Sequence, residues 1–195
     1  LPNIRTLLPF YNKAILQNVV KKVCLNRKIR NKREQRDMKK VLFVCLGNIC
    51  RSPLAEGVFQ ELVRENKLED TFLVDSAGTA GYHIGKNPDA RSIKTAANHG
   101  ITLQHQARQL SVHDFDNFDY ILAMDDNNYE DIKRLQARSQ GKAEVIMFRD
   151  FDPLGKGNVP DPYHGTMADF EEVYEMCTRT SDHLLSYIQT GGNKK

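Results

Sequence analysis

Paired cysteines are missing from this sequence. Only four cysteines occur in 195 residues (Cys24, Cys45, Cys50 and Cys177), and no two of them form a Cys-x-x-Cys pair. That scatter argues against a disulfide-stapled secreted scaffold, a zinc ribbon or a thioredoxin-type site, and points to a reducing, cytoplasmic setting. No apolar run approaches the roughly 18 residues of a membrane-spanning helix, so stable membrane insertion is not expected. Internal repeats and low-complexity tracts are also lacking. Tryptophan is absent too, which by itself excludes no fold.

Charge of one sign is concentrated rather than spread. Residues 1–37 carry ten Lys/Arg and two Asp/Glu, a local charge of +8. The remainder holds 18 basic and 23 acidic residues, a net −5 beneath the overall +3. A basic tail ahead of a mildly acidic domain is poor ground for nucleic-acid binding, and none is expected. The tail has a weak apolar stripe (Phe10, Ala14, Ile15, Val19, Val23) that could form a basic amphipathic helix. The favoured expectation is plainer: residues 1–37 are a disordered basic extension, or upstream sequence outside the natural protein, and the domain occupies residues 38–195.

From Lys39 onward, short apolar runs alternate with helical periodicity. Val41–Leu46, Phe72–Ala77, Tyr120–Met124 and Ala143–Phe148 read as buried strands of a parallel sheet. Helices are expected from Pro53 through Val63, about Asp89–His99 with Gly100 as a left-handed stop, about Asp126–Gln136, and from Thr166 to Gly191. Thr166 and Asp169 have capping-box spacing. The alternation predicts one three-layer α/β/α domain with a four-stranded parallel sheet.

The most informative stretch joins the first strand to the first helix: Cys45-Leu-Gly-Asn-Ile-Cys-Arg-Ser-Pro-Leu-Ala-Glu56. In open α/β sheets this edge is where ligands bind. Ser52 is suited to be the N-cap and Pro53 the first helical residue, so free amides and the positive helix end would meet there as an anion site. Five residues separate Cys45 from Arg51, a length that can curl around a tetrahedral oxyanion. The planar guanidinium of Arg51 can hold two oxygens at once. An ordinary thiol ionises near pH 8.5, and a helix N-terminus with a neighbouring arginine can bring that to about 3.5–7.5. Gly47 allows close backbone approach, and Asn48 tolerates positive φ.

This loop resembles the phosphate-binding signature of the low-molecular-weight protein tyrosine phosphatases. The likeness continues through Asp75-Ser-Ala-Gly-Thr79, Gly100-Ile101, His105-Gln-Ala-Arg-Gln109, Ala123-Met-Asp125 and Val159-Pro-Asp-Pro-Tyr163, covering residues 38–190. The resemblance implies hydrolysis of phosphotyrosine in a protein or peptide through a phosphocysteine on Cys45, with no metal or organic cofactor. It assigns Arg51 to the phosphate and Asp161 to general acid catalysis, then to activation of the hydrolytic water. Leu46, Gly47, Asn48, Ile49, Cys50 and Ser52 complete the loop, Ser52 also donating to the thiolate, while Ser76 and His105 join Asn48 in a hydrogen-bonded support. Tyr82, His83 and Tyr163 are expected as cleft walls. Asp125 either pins an arginine or loop amides, or caps the following helix. A reversible Cys45–Cys50 disulfide is also implied.

Two departures bear on substrate preference: Tyr82 stands where the family often has Trp, and His164 where a second Tyr often follows. Rival readings on the same scaffold are weaker. An arsenate reductase needs two further cysteines near mid-chain, and none lies between Cys50 and Cys177. A protein-arginine phosphatase uses a loop Thr where this chain has Ile49. A phosphate-binding module without turnover would be expected to lack the nucleophile or the acid.

Overall fold

The computed structural model describes residues 38–192, so the expectations for residues 1–37 lie outside the described residues. Four parallel strands, β1 (Lys39–Cys45), β2 (Phe72–Gly78), β3 (Tyr120–Ala123) and β4 (Glu144–Met147), form one sheet in the order β2-β1-β3-β4. The helices are α1 (Arg51–Glu65), α2 (Ala90–Asn98), the single turn α3 (Asp114–Asn117), α4 (Asp126–Gln136) and α5 (Met167–Gln189), with a 3-10 turn over Phe148–Phe151. The expected strands and four main helices are all present. The two short turns were not expected, being too brief for periodicity to register.

Strand β1 is central and nearly all apolar because both of its faces are covered. Val41, Phe43 and Cys45 belong to one core cluster, with residues of α1, α2 and α5. Leu42 and Val44 belong to the other, with Phe115 of α3 and Ile132 of α4. On the first side Phe43 meets Phe59 of α1 and Phe148, with ring centroids 5.7 and 5.3 Å apart.

Chain order reverses at β1, which pairs with β2 through Val44↔Ala77 and with β3 through Val44↔Ala123. A crevice therefore opens beyond the carboxyl end of β1, and Cys45 is the last residue of that strand.

The helix ends follow their residues. Asp89 caps α2 by accepting from the Arg91 amide at 2.8 Å, and Gly100 has φ 78° beyond its end. Thr166 and Asp169 form the expected capping box. One expectation is corrected: α1 begins at Arg51 with Cys50 as its N-cap residue, and no side chain caps it. Ser52 lies inside the first turn, so Pro53 is not the first helical residue. The serine hydroxyl has other partners, described below. Among the described residues, no helix is long and apolar enough to cross a membrane.

Truncating the fully buried Phe43 removes ring contacts on the α1 side of β1. Phe43→Ala is expected to lower unfolding stability by about 3–5 kcal/mol in urea titrations.

Candidate active site

The carboxyl end of β1 opens into a cavity of 320 Å³. Its lining comprises Cys45, Leu46, Gly47, Ile49, Cys50 and Arg51 from the loop, with Tyr82, His83, Asp161, Tyr163 and His164 around the rim. Each cleft residue expected from the sequence is among them. Asn48, Ser52, Ser76 and His105 do not reach the cavity and lie behind it.

The Cys45 sulfur is buried and held from two directions. The Asn48 amide donates to it at 3.2 Å, and the Ser52 hydroxyl lies 3.1 Å away. Release of Ser52 from capping is what allows that contact. The amides of Gly47, Ile49 and Cys50 have no acceptor among the described residues. Together with the uncapped start of α1, which has no acidic residue in its first turn, they leave a cluster of unclaimed donors. Such a cluster attracts an anion. Gly47 lies close to the opposite wall: a Cβ there would stand 3.1 Å from the His83 ring, which would have to give way by a few tenths of an ångström.

Asn48 shapes the loop. Its φ is 55°, in the left-handed region, and the residue is fully buried. Its side-chain oxygen accepts from the Arg108 amide and from His105 Nε2, both at 2.8 Å. Its side-chain nitrogen donates to Ser52 and Ser76, both at 2.9 Å. Behind it, Ser76 donates to Glu56 at 2.7 Å, and His105 Nδ1 lies 3.0 Å from the same carboxylate. Gly78, beside this scaffold, admits no side chain, because a Cβ would come within 2.7 Å of the Leu46 carbonyl oxygen.

Arg51 is buried with two carboxylates. One terminal nitrogen meets Asp125 at 2.5 Å and the Val159 carbonyl at 3.2 Å; the other meets Asp161 at 2.8 Å. Burial pulls the guanidinium's ionisation downward, but Cys45, Asp161 and Asp125 outweigh it and hold the group above its ordinary range. Asp125 fills both roles that the sequence left open, since its other oxygen caps α4 through the Asn128 amide at 2.7 Å.

Cys50 shares the loop with Cys45. Burial, then the charges of Asp89, Cys45 and Asp161, push its thiol up to about 12, so it stays protonated at neutral pH. Cys45, Cys50 and Cys177 are all free thiols. Among the described residues, one grouping has metal-ligand spacing: Glu56, Asp75 and His105, with ligand atoms within 4.8 Å. All three already serve the scaffold. Asp75 receives Arg108 at 2.8 Å, and Glu56 receives Ser76 and His105.

Comparison with known proteins agrees with this geometry. Residues 40–194 match the family model described as low molecular weight phosphotyrosine protein phosphatase. The chain belongs to that family. A chicken low molecular weight phosphotyrosine protein phosphatase is 48% identical over 150 residues, spanning 76% of this chain and 95% of that one. A protein tyrosine phosphatase structure from Entamoeba histolytica, with Hepes in its active site, superposes with a TM-score of 0.74 at 36% identity. It covers 80% of this chain and 99% of that one. A Drosophila arginine phosphatase structure gives 0.73 at 32% identity, covering 77% of this chain and 98% of the other.

Reading residues alone assigned no role to Glu56, Arg108 or the Val159 carbonyl. The first two stood inside recognised motifs, but only their partners in space disclose what they hold. A main-chain oxygen leaves no trace in a sequence.

The two loop thiols are separable by chemistry. Cys50 gains thiolate only as pH rises toward about 12, and alkylation follows thiolate. At pH 7, iodoacetate is therefore expected to label Cys45 and spare Cys50, as read by peptide mapping. Inorganic phosphate is expected to protect Cys45.

Proposed function

We propose that this protein hydrolyses phosphotyrosine in proteins or peptides through a phosphocysteine on Cys45. The observation that carries the reading is one cavity combining a sulfur held by an amide and a hydroxyl with a buried guanidinium and a carboxylate, between two tyrosines. The phosphate dianion settles on the loop amides and takes the guanidinium of Arg51, displacing Asp161 from it. The Cys45 thiolate attacks phosphorus as the tyrosyl oxygen leaves. Asp161, freed and protonated, gives its proton to that oxygen, so the product is a neutral phenol.

Water then enters with Asp161 as the base that takes its proton, and attacks the phosphocysteine. Sulfur leaves as thiolate, stabilised by Ser52 and the Asn48 amide. Asp125 keeps Arg51 oriented in both steps. The positive field that binds the substrate also stabilises the leaving sulfur, so neither step calls for a metal. A cytoplasmic setting belongs to the same reading, because the nucleophile works only as a reduced thiol and the described cysteines are free.

The wall residues support an aryl ester. Tyr82 and Tyr163 are both exposed at the rim, where their faces can sandwich a phenyl ring. Phosphoarginine is the second reading, favoured by the likeness to the Drosophila arginine phosphatase. Against it, Ile49 puts an aliphatic side chain in the cavity lining, which offers a guanidinium no hydrogen bond at that position.

Phosphotyrosine, phosphoserine and phosphoarginine peptides compared at one concentration in EDTA test the reading. Phosphotyrosine is expected to be cleaved at least ~10-fold faster than the others, a difference of about 1.4 kcal/mol. Cys45→Ser is expected to abolish cleavage. Phosphoarginine as the fastest substrate, or full activity of Cys45→Ser, would overturn it.

A further inference from the structure

The segment that carries Asp161 has no regular secondary structure, as the chain runs irregularly from Val159 to Gly165. Its start is tied by the Val159 amide, which donates to the Met124 carbonyl at 2.7 Å. Its far side is tied by a residue outside the cavity lining. Arg91, in the first turn of α2, donates to the Tyr163 carbonyl at 2.9 Å and to the Gly165 carbonyl at 3.0 Å. The same guanidinium makes a two-pronged pair with Asp89, at 3.0 and 2.9 Å. Its carbon lies 4.5 Å from the centre of the buried Phe170 ring and 5.9 Å from that of Tyr163.

Asp89 and its neighbour hold the opposite side of the site. The Asp89 amide donates to the Ile49 carbonyl at 2.8 Å, and the Ser92 hydroxyl donates to the Cys50 carbonyl at 3.3 Å. The first turn of α2 therefore grips the phosphate loop with one set of groups and the Asp161 segment with another. Every polar partner of Arg91 is a main-chain carbonyl or Asp89. It has no polar contact with Arg51, Asp161 or Cys45.

We propose that Arg91, locked by Asp89, is a positioning residue for the general acid: it brackets the two loops and sets where the Asp161 carboxyl stands over the Cys45 sulfur. The inference rests on the reading of Asp161 as the proton donor. Asp161 is anchored by its own Oδ1, which accepts from the Tyr163 amide at 3.2 Å. Holding the Tyr163 carbonyl thus fixes the peptide unit one step beyond the one that orients the acid. Lysine cannot substitute fully, because two carbonyls and a bidentate carboxylate require a planar fork with several donors. The acid is needed most when the leaving phenol is weakly acidic, so a displaced Asp161 betrays itself in leaving-group dependence. General loosening of the fold would lower all substrates alike.

The test measures kcat/KM for aryl phosphates from dinitrophenyl to phenyl with the wild type, R91A, R91K, D161N and R91A/D161N, plus inhibition by inorganic phosphate. D161N is expected to lose ~10²-fold or more on phenyl phosphate and much less on the dinitrophenyl ester. R91A is expected to lose ~10-fold or more on phenyl phosphate and less than ~3-fold on the dinitrophenyl ester, as displacement of a catalytic group by an ångström allows. R91K is expected to show the same slope at smaller amplitude, which keeps the test open if R91A folds poorly. Phosphate inhibition is expected to stay within ~2-fold, and R91A to add little in the D161N background. Equal losses across all leaving groups in R91A and R91K, with D161N steep, would overturn this inference alone. A flat D161N would remove the acid assignment and this inference with it.

Discussion

The carboxamide of Asn48 is the interaction on which the active site depends. Asn48 sits at φ 55°, a left-handed conformation that asparagine tolerates better than most residues. Here both ends of the side chain are satisfied, by Ser52, Ser76, His105 and the Arg108 amide. Its own amide consequently turns onto the Cys45 sulfur. Because the residue is fully buried, any partner removed leaves a desolvated polar group, at about 1–3 kcal/mol each. Glu56 and His105 form the outer layer of the same network. They link the loop's shape to α1 and to the segment between α2 and α3.

A single positive charge has several claimants. Arg51 is shared between Asp125 and Asp161 and also feels the charge of Cys45. Asp125 is fixed by its second role as a helix cap, whereas Asp161 is about half exposed and belongs to an irregular segment. In the proposed reaction, phosphate therefore competes with Asp161 rather than with Asp125 for the guanidinium. On that proposal, the same exchange that completes the anion site frees the carboxyl proposed to handle the proton. The neighbouring Cys50 stays outside this arrangement, since burial and surrounding negative charge keep its thiol neutral.

Much of this was legible in the sequence, and the reason is physical. Fully buried parallel strands leave continuous apolar runs such as Val41–Val44, and the loop between β1 and α1 packs its chemistry into twelve adjacent residues. Asn48, Gly100 and the Thr166–Asp169 box each announce a backbone conformation that few other residues tolerate. Ser52 misled, because serine before proline reads as an N-cap, while here the sulfur of Cys45 and the Asn48 carboxamide claim its hydroxyl inside the helix. The bracket formed by Asp89 and Arg91 was invisible for a different reason. Its partners at Ile49, Tyr163 and Gly165 are main-chain oxygens distant in sequence, and nothing in residue identity marks them.

The central claim is that Cys45 carries the phosphoryl group between substrate and water. The direct measurement is rapid acid quench of the wild-type protein during turnover of a radiolabelled aryl phosphate, followed by peptide mapping of the trapped label. Label approaching one per molecule, linked through sulfur to the peptide containing Cys45, is the expected result. Label on any other residue, or none while turnover proceeds, would contradict it.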